Sequence, residues 1–346
     1  MIIRQFNLRS MLTAPQWGSG DNEGGEDVER TGFGLGIIFA GVGAALFSLK
    51  AILIKLAYMS DQAGSLDVDA ITLMALRMAF ALPVYLFIFG ALLRKRKRQA
   101  TPKTLPPRAV ISALMLGCLG YYICPYLDFN GLKFITAQLE RLLLFTYPAF
   151  VLILGALFFG AALSLRSASL AMLAYVGIGI IYLGGDIATG DNVALGSALI
   201  LGCAVLFALF QLLAKPLIAA LGAGLFTCLS MMAASAAVLT HFTVQNAVAG
   251  TLGQALDLPP RIWLIGAAIA IMSTIIPSFL VNLAIGRIGP QTVSMIGMIS
   301  PIVTIGFAVY LLGEPFGGVD ALGTGLTIFG IGAYSWYSGR ERRALN

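Results

Sequence analysis

The chain has 346 residues and a formal net charge of +6; charged residues make up only 11% of it and hydrophobic ones 58%. A soluble globular domain is excluded on that composition, because too few polar side chains remain to cover a water-facing surface. What is left is an all-α polytopic membrane protein, since apolar stretches long enough to cross a hydrocarbon core fill almost the whole chain.

The first segment, residues 1–32, carries the run from Gly18 to Asp27, rich in Gly, Asp, Glu and Asn. It is too polar to bury a core and is expected to be a disordered cytoplasmic tail. It also lacks the basic start, apolar run and small-residue cleavage site of a secretory signal. Ten spans follow, at about residues 33–58, 68–92, 109–128, 131–159, 167–184, 194–215, 223–243, 262–285, 290–313 and 319–338. None alternates strictly between polar and apolar residues, which argues against a transmembrane β-barrel. The connections are short, so no soluble domain is inserted.

The basic residues cluster beside spans. Arg94-Lys95-Arg96-Lys97-Arg98, then Lys103 and Arg108, follow the second span, and Arg340, Arg342 and Arg343 follow the last. Clusters in those positions set orientation by the positive-inside rule and place both termini in the cytoplasm, with 339–346 as a short C-terminal tail. They are explained by the lipid bilayer as partner, and nucleic acid is not expected. Cys118, Cys124, Cys203 and Cys228 sit singly in apolar spans as small packing residues, and His241 is the only histidine. Neither a metal site nor a cofactor is expected.

Matched residues recur along the chain. Leu46-Phe47 precedes Lys55 as Leu206-Phe207 precedes Lys215, at an offset of 160. Pro125 with Asn130 matches Pro277 with Asn282, at 152, and Gln138, Pro148 and Gly160 match Gln291, Pro301 and Gly313, at 153. Several matches in one order define two repeats, 33–184 and 194–338, of five spans each. Five is odd, so the second repeat must lie upside down relative to the first. A binding site at the interface of such inverted repeats falls near mid-membrane. Pro125, Pro148, Pro277 and Pro301 each remove a backbone hydrogen bond inside a span, and are expected to act as hinges or cavity walls.

Among sixteen acidic residues, only Glu140 reads as lying well inside a span, on the order of 13 Å from its outer end. A carboxylate at that depth faces a cavity, pairs with a cation or carries function. A central cavity formed by Glu140 and Arg141 with Lys50, Gln211, Asn282 and Gln291 is one arrangement; a structural ion pair tying helices together is the other. Gln138, Ser294, Tyr122 and Tyr147 are further candidates for the lining. Lys55, Lys133 and Lys215 sit near span ends and are expected to reach the interface; Glu314 is expected at a helix end.

The stretch from Gly131 to Pro148 (GLKFITAQLERLLLFTYP) resembles the fourth helix of EamA-type members of the drug/metabolite transporter superfamily, and Leu311-Leu312-Gly313-Glu314-Pro315 resembles the motif that closes the same repeat. The resemblance covers nearly all of residues 33–338. It implies a bacterial inner-membrane transporter with a cavity lined by helices one, three, four, six, eight and nine. The first repeat departs from the motif, ending Phe159-Gly160-Ala161 without the glutamate found at Glu314.

The expected function is secondary active transport of a small metabolite or drug by alternating access, directed outward, with a proton as candidate coupling ion. No phosphate-binding GxxxxGK[ST] loop is present. A lipid flippase of related fold is the alternative. A membrane-embedded lipid-modifying enzyme ranks lower, because no catalytic constellation is visible and the chain is not expected to be an enzyme.

Overall fold

The computed structural model describes residues 23–61, 68–98, 105–159, 165–186, 192–297 and 299–344. Most of the tail expected to be disordered, residues 1–22, therefore lies outside the described residues. The remainder is helical: α1 (Glu23–Asp61) begins ahead of the apolar span. The reason is local, since Glu23, Glu26 and Asp27 place negative charge at the positive end of the helix dipole.

α2 (Ala70–Lys97) starts at Asp69, whose carboxylate accepts a hydrogen bond from the Ala70 amide, and it ends in the basic cluster. α3 (Pro107–Cys118) and α4 (Cys124–Gly131) form one rod through a π-helical turn at Leu119–Ile123. The chain then turns, and Thr136 caps α5 (Ala137–Leu144) by accepting from the Leu139 amide at 3.2 Å. α6 (Tyr147–Phe159) continues past a break at Phe145 and Thr146. The fourth span, expected from residue 131, thus starts at Ala137 and consists of two helical pieces.

α7 (Leu165–Gly184) completes the first half, and the second half runs α8 (Val193–Leu221), α9 (Ala223–Ala249) and α10 (Pro260–Ala270). A π-helical turn at Ile271–Ile275 joins α10 to α11 (Ile276–Gly297), and α12 (Ile299–Phe307) leads through a third such turn, Ala308–Leu312, to α13 (Gly318–Ala344). Gly289 breaks α11 with a φ of 78°, a conformation open to glycine. Among the described residues every regular element is helical.

Seven of these helical rods are long and apolar enough to cross a membrane, and Tyr175–Gly184 and Ser300–Leu312 are shorter apolar helices. The outer surface fits that setting. Phe87, Val248 and Leu183 are 79%, 85% and 90% exposed, which water would penalise and lipid would not. The protein is a polytopic helical membrane protein.

The packing is regular. α1 lies against α11 and α12, α8 against α4 and α6, α2 against α9, and α7 against α13. Glycines set the closest approaches. Gly177 of α7 and Gly323 of α13 face each other's backbone, and Gly117 of α3 lies on the backbone of Ser230 in α9.

The four prolines occupy comparable places. Pro125 and Pro277 each follow a π-helical turn by two residues, while Pro148 and Pro301 lie in the first turn of α6 and α12. A first-turn proline gives up an amide that had no partner inside the helix, so the bend costs little there. The widened turns leave carbonyls for side chains to satisfy. Arg77 Nη2 donates to the Tyr121 carbonyl at 3.3 Å, and the Tyr85 hydroxyl donates to that of Thr274 at 3.4 Å.

Candidate functional site

A cavity of about 160 Å³ lies at the centre of the bundle. All six helices implied by the family resemblance contribute to its wall, and α2 and α9 add Arg77 and Met231. Of the residues singled out in the sequence, Lys50, Arg141, Gln211, Tyr147 and Pro125 line it. Its remaining wall is aromatic and aliphatic, including Phe47, Tyr121, Phe145 and Phe207, with the hydroxyl residues Ser273, Thr274, Ser278 and Ser300.

The charged side chains form one buried group. Lys50 Nζ of α1 meets Asp128 Oδ2 of α4 at 2.6 Å, with the carboxylate fully buried and the lysine side chain 13% exposed. Asp128 is the residue sequence reasoning missed: its span was read as ending there, and Glu140 was taken as the only deep acid. The π-helical turn and the continuation of α4 to Gly131 carry Asp128 into the interior. A carboxylate three residues past Pro125 in a helix that continues was the available signal.

Glu140 is fully buried beside Asp128, behind the cavity wall and not part of it. Its oxygens meet no hydrogen-bond donor among the described residues, and Arg141 Nε stands 3.7 Å from Oε2. Arg141 is anchored separately, with Nη2 donating to the Phe47 carbonyl at 3.0 Å. Arg77 sits 5.2 Å above the Phe129 ring. Of the two readings of Glu140, the geometry is that of the ion-pair network, whose other members Lys50, Asp128 and Arg141 line the cavity in front of it.

Other expected lining residues are elsewhere. Gln138 lies in the first turn of α5, where Nε2 donates to the Pro315 carbonyl at 3.0 Å, and it does not line the cavity. Asn282 donates to Thr227 at 2.7 Å and to the Tyr121 hydroxyl at 3.3 Å, one layer behind the wall. Tyr122 bonds His241 Nδ1 at 3.0 Å, and its neighbour Tyr121 takes the cavity position. The side chains of Gln291 and Ser294 lie outside the described residues.

Glu314 caps a helix in the other half. Its carboxylate accepts from the amides of Ala137 at 2.8 Å and Gln138 at 3.2 Å, at the positive end of α5. At the same end, Lys133 Nζ meets Asp69 Oδ1 at 2.9 Å and Gln245 Nε2 donates to Asp69 Oδ2 at 2.9 Å. Partial burial raises the Asp69 carboxyl, but the bonds from Lys133 and Gln245 outweigh it and leave the group below its ordinary range. A folded value below the unfolded one means the stabilisation is complete above the ordinary carboxylate range and is lost only as pH falls through the depressed value. The exposed pair is worth at most about 1 kcal/mol. Asp69→Asn is therefore expected to lower the melting temperature slightly and equally at all pH values between about 5 and 8; a loss confined to one end of that window would refute the clasp.

Known proteins agree with this architecture. The EamA-like transporter family matches the chain twice, over residues 34–183 and 194–336. An uncharacterised transporter, YcbK, of Bacillus subtilis (strain 168) is 29% identical over 310 residues, spanning 90% of this chain and 94% of its own. A solved crystal structure superimposes with a TM-score of 0.57 over 88% of this chain and 98% of its own, at 16% identity, a likeness of fold alone. With two matches that together span most of the sequence, and a buried charged cavity in an apolar helical bundle, the chain belongs to the EamA-like transporter family and is a membrane transporter.

Proposed function

We propose that the protein is a secondary active exporter of a small polar or amphipathic metabolite, working by alternating access between two inverted five-helix repeats. Ten transmembrane helices then place both termini in the cytoplasm of a bacterial cell. The observation that carries this reading is the cavity: it is enclosed by helices of both halves and holds charged groups at its wall.

Three features support the inverted arrangement. The π-helical turns at Leu119–Ile123 and Ile271–Ile275 precede Pro125 and Pro277 at the same spacing. Under the sequence matching, α1 corresponds to α8 and α4 to α11, so the α1–α11 and α8–α4 contacts exchange with one another. The α2–α9 and α7–α13 contacts each pair a helix with its own counterpart. That is the pattern a two-fold axis in the membrane plane produces. The proline-bearing segments are the hinges about which the halves rock, and the clasp at Glu314, Asp69 and Lys133 is what must part when the cavity opens at that end.

Asp128 and Glu140, flanked by Lys50 and Arg141, are two adjacent carboxyls able to take up or release one proton as substrate enters. Glu140 is the proton-sensitive member, since no donor holds it, and Arg141 orients it. Glu140→Gln keeps the shape and removes the exchangeable charge. It is expected to insert and fold normally while transport in proteoliposomes falls by about tenfold or more, the scale of one lost charged interaction. Full transport by that variant would remove the carboxylate from the mechanism.

A further inference from the structure

We propose that the cavity selects small organic monoanions with a compact aromatic or apolar body; the inference rests on the transporter reading and names its substrate class. Among the described residues three cationic side chains, Lys50, Arg77 and Arg141, line the cavity with one carboxylate, Asp128. Counting Glu140 behind the wall, the set still holds one more cationic than carboxylic side chain. Asp128 is already engaged by Lys50 at 2.6 Å.

Unused hydrogen-bonding capacity points the same way. Among the described residues Arg77 Nε, Arg141 Nε and Ser273 Oγ have no hydrogen-bond partner, and these residues are 4%, 5% and 2% exposed. The carboxylate oxygens of Asp128 and Glu140 lack one too, but Asp128 is ion-paired with Lys50 and Glu140 lies 3.7 Å from Arg141 Nε, behind the wall. The two guanidiniums are fixed by donating to the carbonyls of Tyr121 and Phe47, so they remain in place when the cavity is empty. A guanidinium has donors and no acceptor, and away from water its unmet need is for an anionic oxygen. A carboxylate or sulfonate would supply it and bring the missing negative charge. A cationic ligand would meet surplus positive charge; Asp128 on the wall is held by Lys50, and Glu140 lies behind the wall.

The body of the ligand follows from the walls. Tyr121, Phe145, Tyr147 and Phe207 line the cavity, and Tyr147 meets Phe145 and Phe207 edge to face. Its volume of about 160 Å³ is close to the roughly 150 Å³ that accommodates a benzene ring. A single ring bearing one acidic group fits both the charge and the space.

The test uses the purified full-length protein and four probes that share one phenyl ring: benzenesulfonate, which stays ionised, benzylamine, benzyl alcohol and phenylalanine. A ligand that binds only the folded state raises the melting temperature in a saturable way. Benzenesulfonate is expected to do so, with the other three at least about tenfold weaker, the factor expected for one charged hydrogen bond. Arg141→Gln should weaken benzenesulfonate by about tenfold or more, and Arg141→Lys by less, because it keeps the charge and loses the fork geometry. If Arg141→Gln does not fold, the Arg141→Lys comparison and the four-probe ranking still decide. Equal or tighter binding of benzylamine, benzyl alcohol or phenylalanine overturns the anion assignment, as does the absence of any saturable shift. Counterflow in proteoliposomes separates the two levels. Counterflow of another probe without benzenesulfonate overturns the substrate class and leaves the transporter reading intact. Benzenesulfonate binding without counterflow keeps the site and overturns that reading.

Discussion

Asp128→Leu is expected to destabilise the folded protein by about 3–5 kcal/mol, the cost of removing one partner from a buried ion pair. The lysine left behind has little access to water, since the Lys50 side chain is only 13% exposed. The carboxylate also lies near Arg77, so two cations lose their counter-charge together. Lys50→Met combined with Asp128→Leu should recover much of the loss, because a well-packed apolar pair often replaces a buried salt bridge without penalty. A double-mutant cycle on detergent-purified protein, read by thermal or chemical unfolding, isolates the pair. Strictly additive losses would show that the 2.6 Å contact contributes no coupling. The restored double variant should still fail to transport, since the cavity wall would have lost the Lys50–Asp128 pair.

Gly117→Val has the second large expected effect. A Cβ at that position would overlap the backbone oxygen and Cα of Ser230. Backbone cannot rotate aside as a side chain can, so α3 and α9 must separate along their contact. Overpacking of this kind costs about 1–3 kcal/mol and occasionally more. The hydrogen bond from Ser230 Oγ to the Ala113 carbonyl, 3.0 Å long, would be strained by the same movement. Gly90→Val in α2 is the control: a Cβ there meets nothing within 4 Å, so it isolates the helix-propensity change. Comparable melting temperatures for the two variants would contradict the close-approach account.

Much of the architecture was legible in the sequence because membrane burial writes itself in composition. The apolar spans, the basic cluster ending α2 and the matched prolines all follow from local constraints that a single chain displays. Segment matching paired Pro125 with Pro277, and each stands two residues past a π-helical turn that the matching did not foresee. The site was only partly legible. Lys50, Arg141 and Gln211 were singled out by their depth, Tyr147 by the helix face it shares with Glu140 and Pro125 by its repeat match, and all five line the cavity. Depth could not distinguish Tyr122 from Tyr121, because a π-helical turn changes the facing of every later residue by an amount periodicity does not reveal. Gln138 was misplaced because the turn before Ala137 delays the helix start. Asp128 was lost by a boundary error of a few residues. Its pairing with Lys50 joins the first and third spans, a tertiary fact that no spacing encodes. Glu314 read as a helix-end residue, and it does cap a helix end, though that of α5 in the other half of the chain.

The central claim is that one cavity between the two halves opens to each face of the membrane in turn. It is tested most directly by a single cysteine at Gln211, which lines the cavity, in a variant whose Cys118, Cys124, Cys203 and Cys228 have been replaced by alanine. A membrane-impermeant thiol reagent is applied to right-side-out and to inside-out vesicles, and modification is counted in each. Alternating access predicts modification from both faces, and protection from both when a transported ligand is bound. Modification from one face only would make the cavity a static pocket and contradict the account.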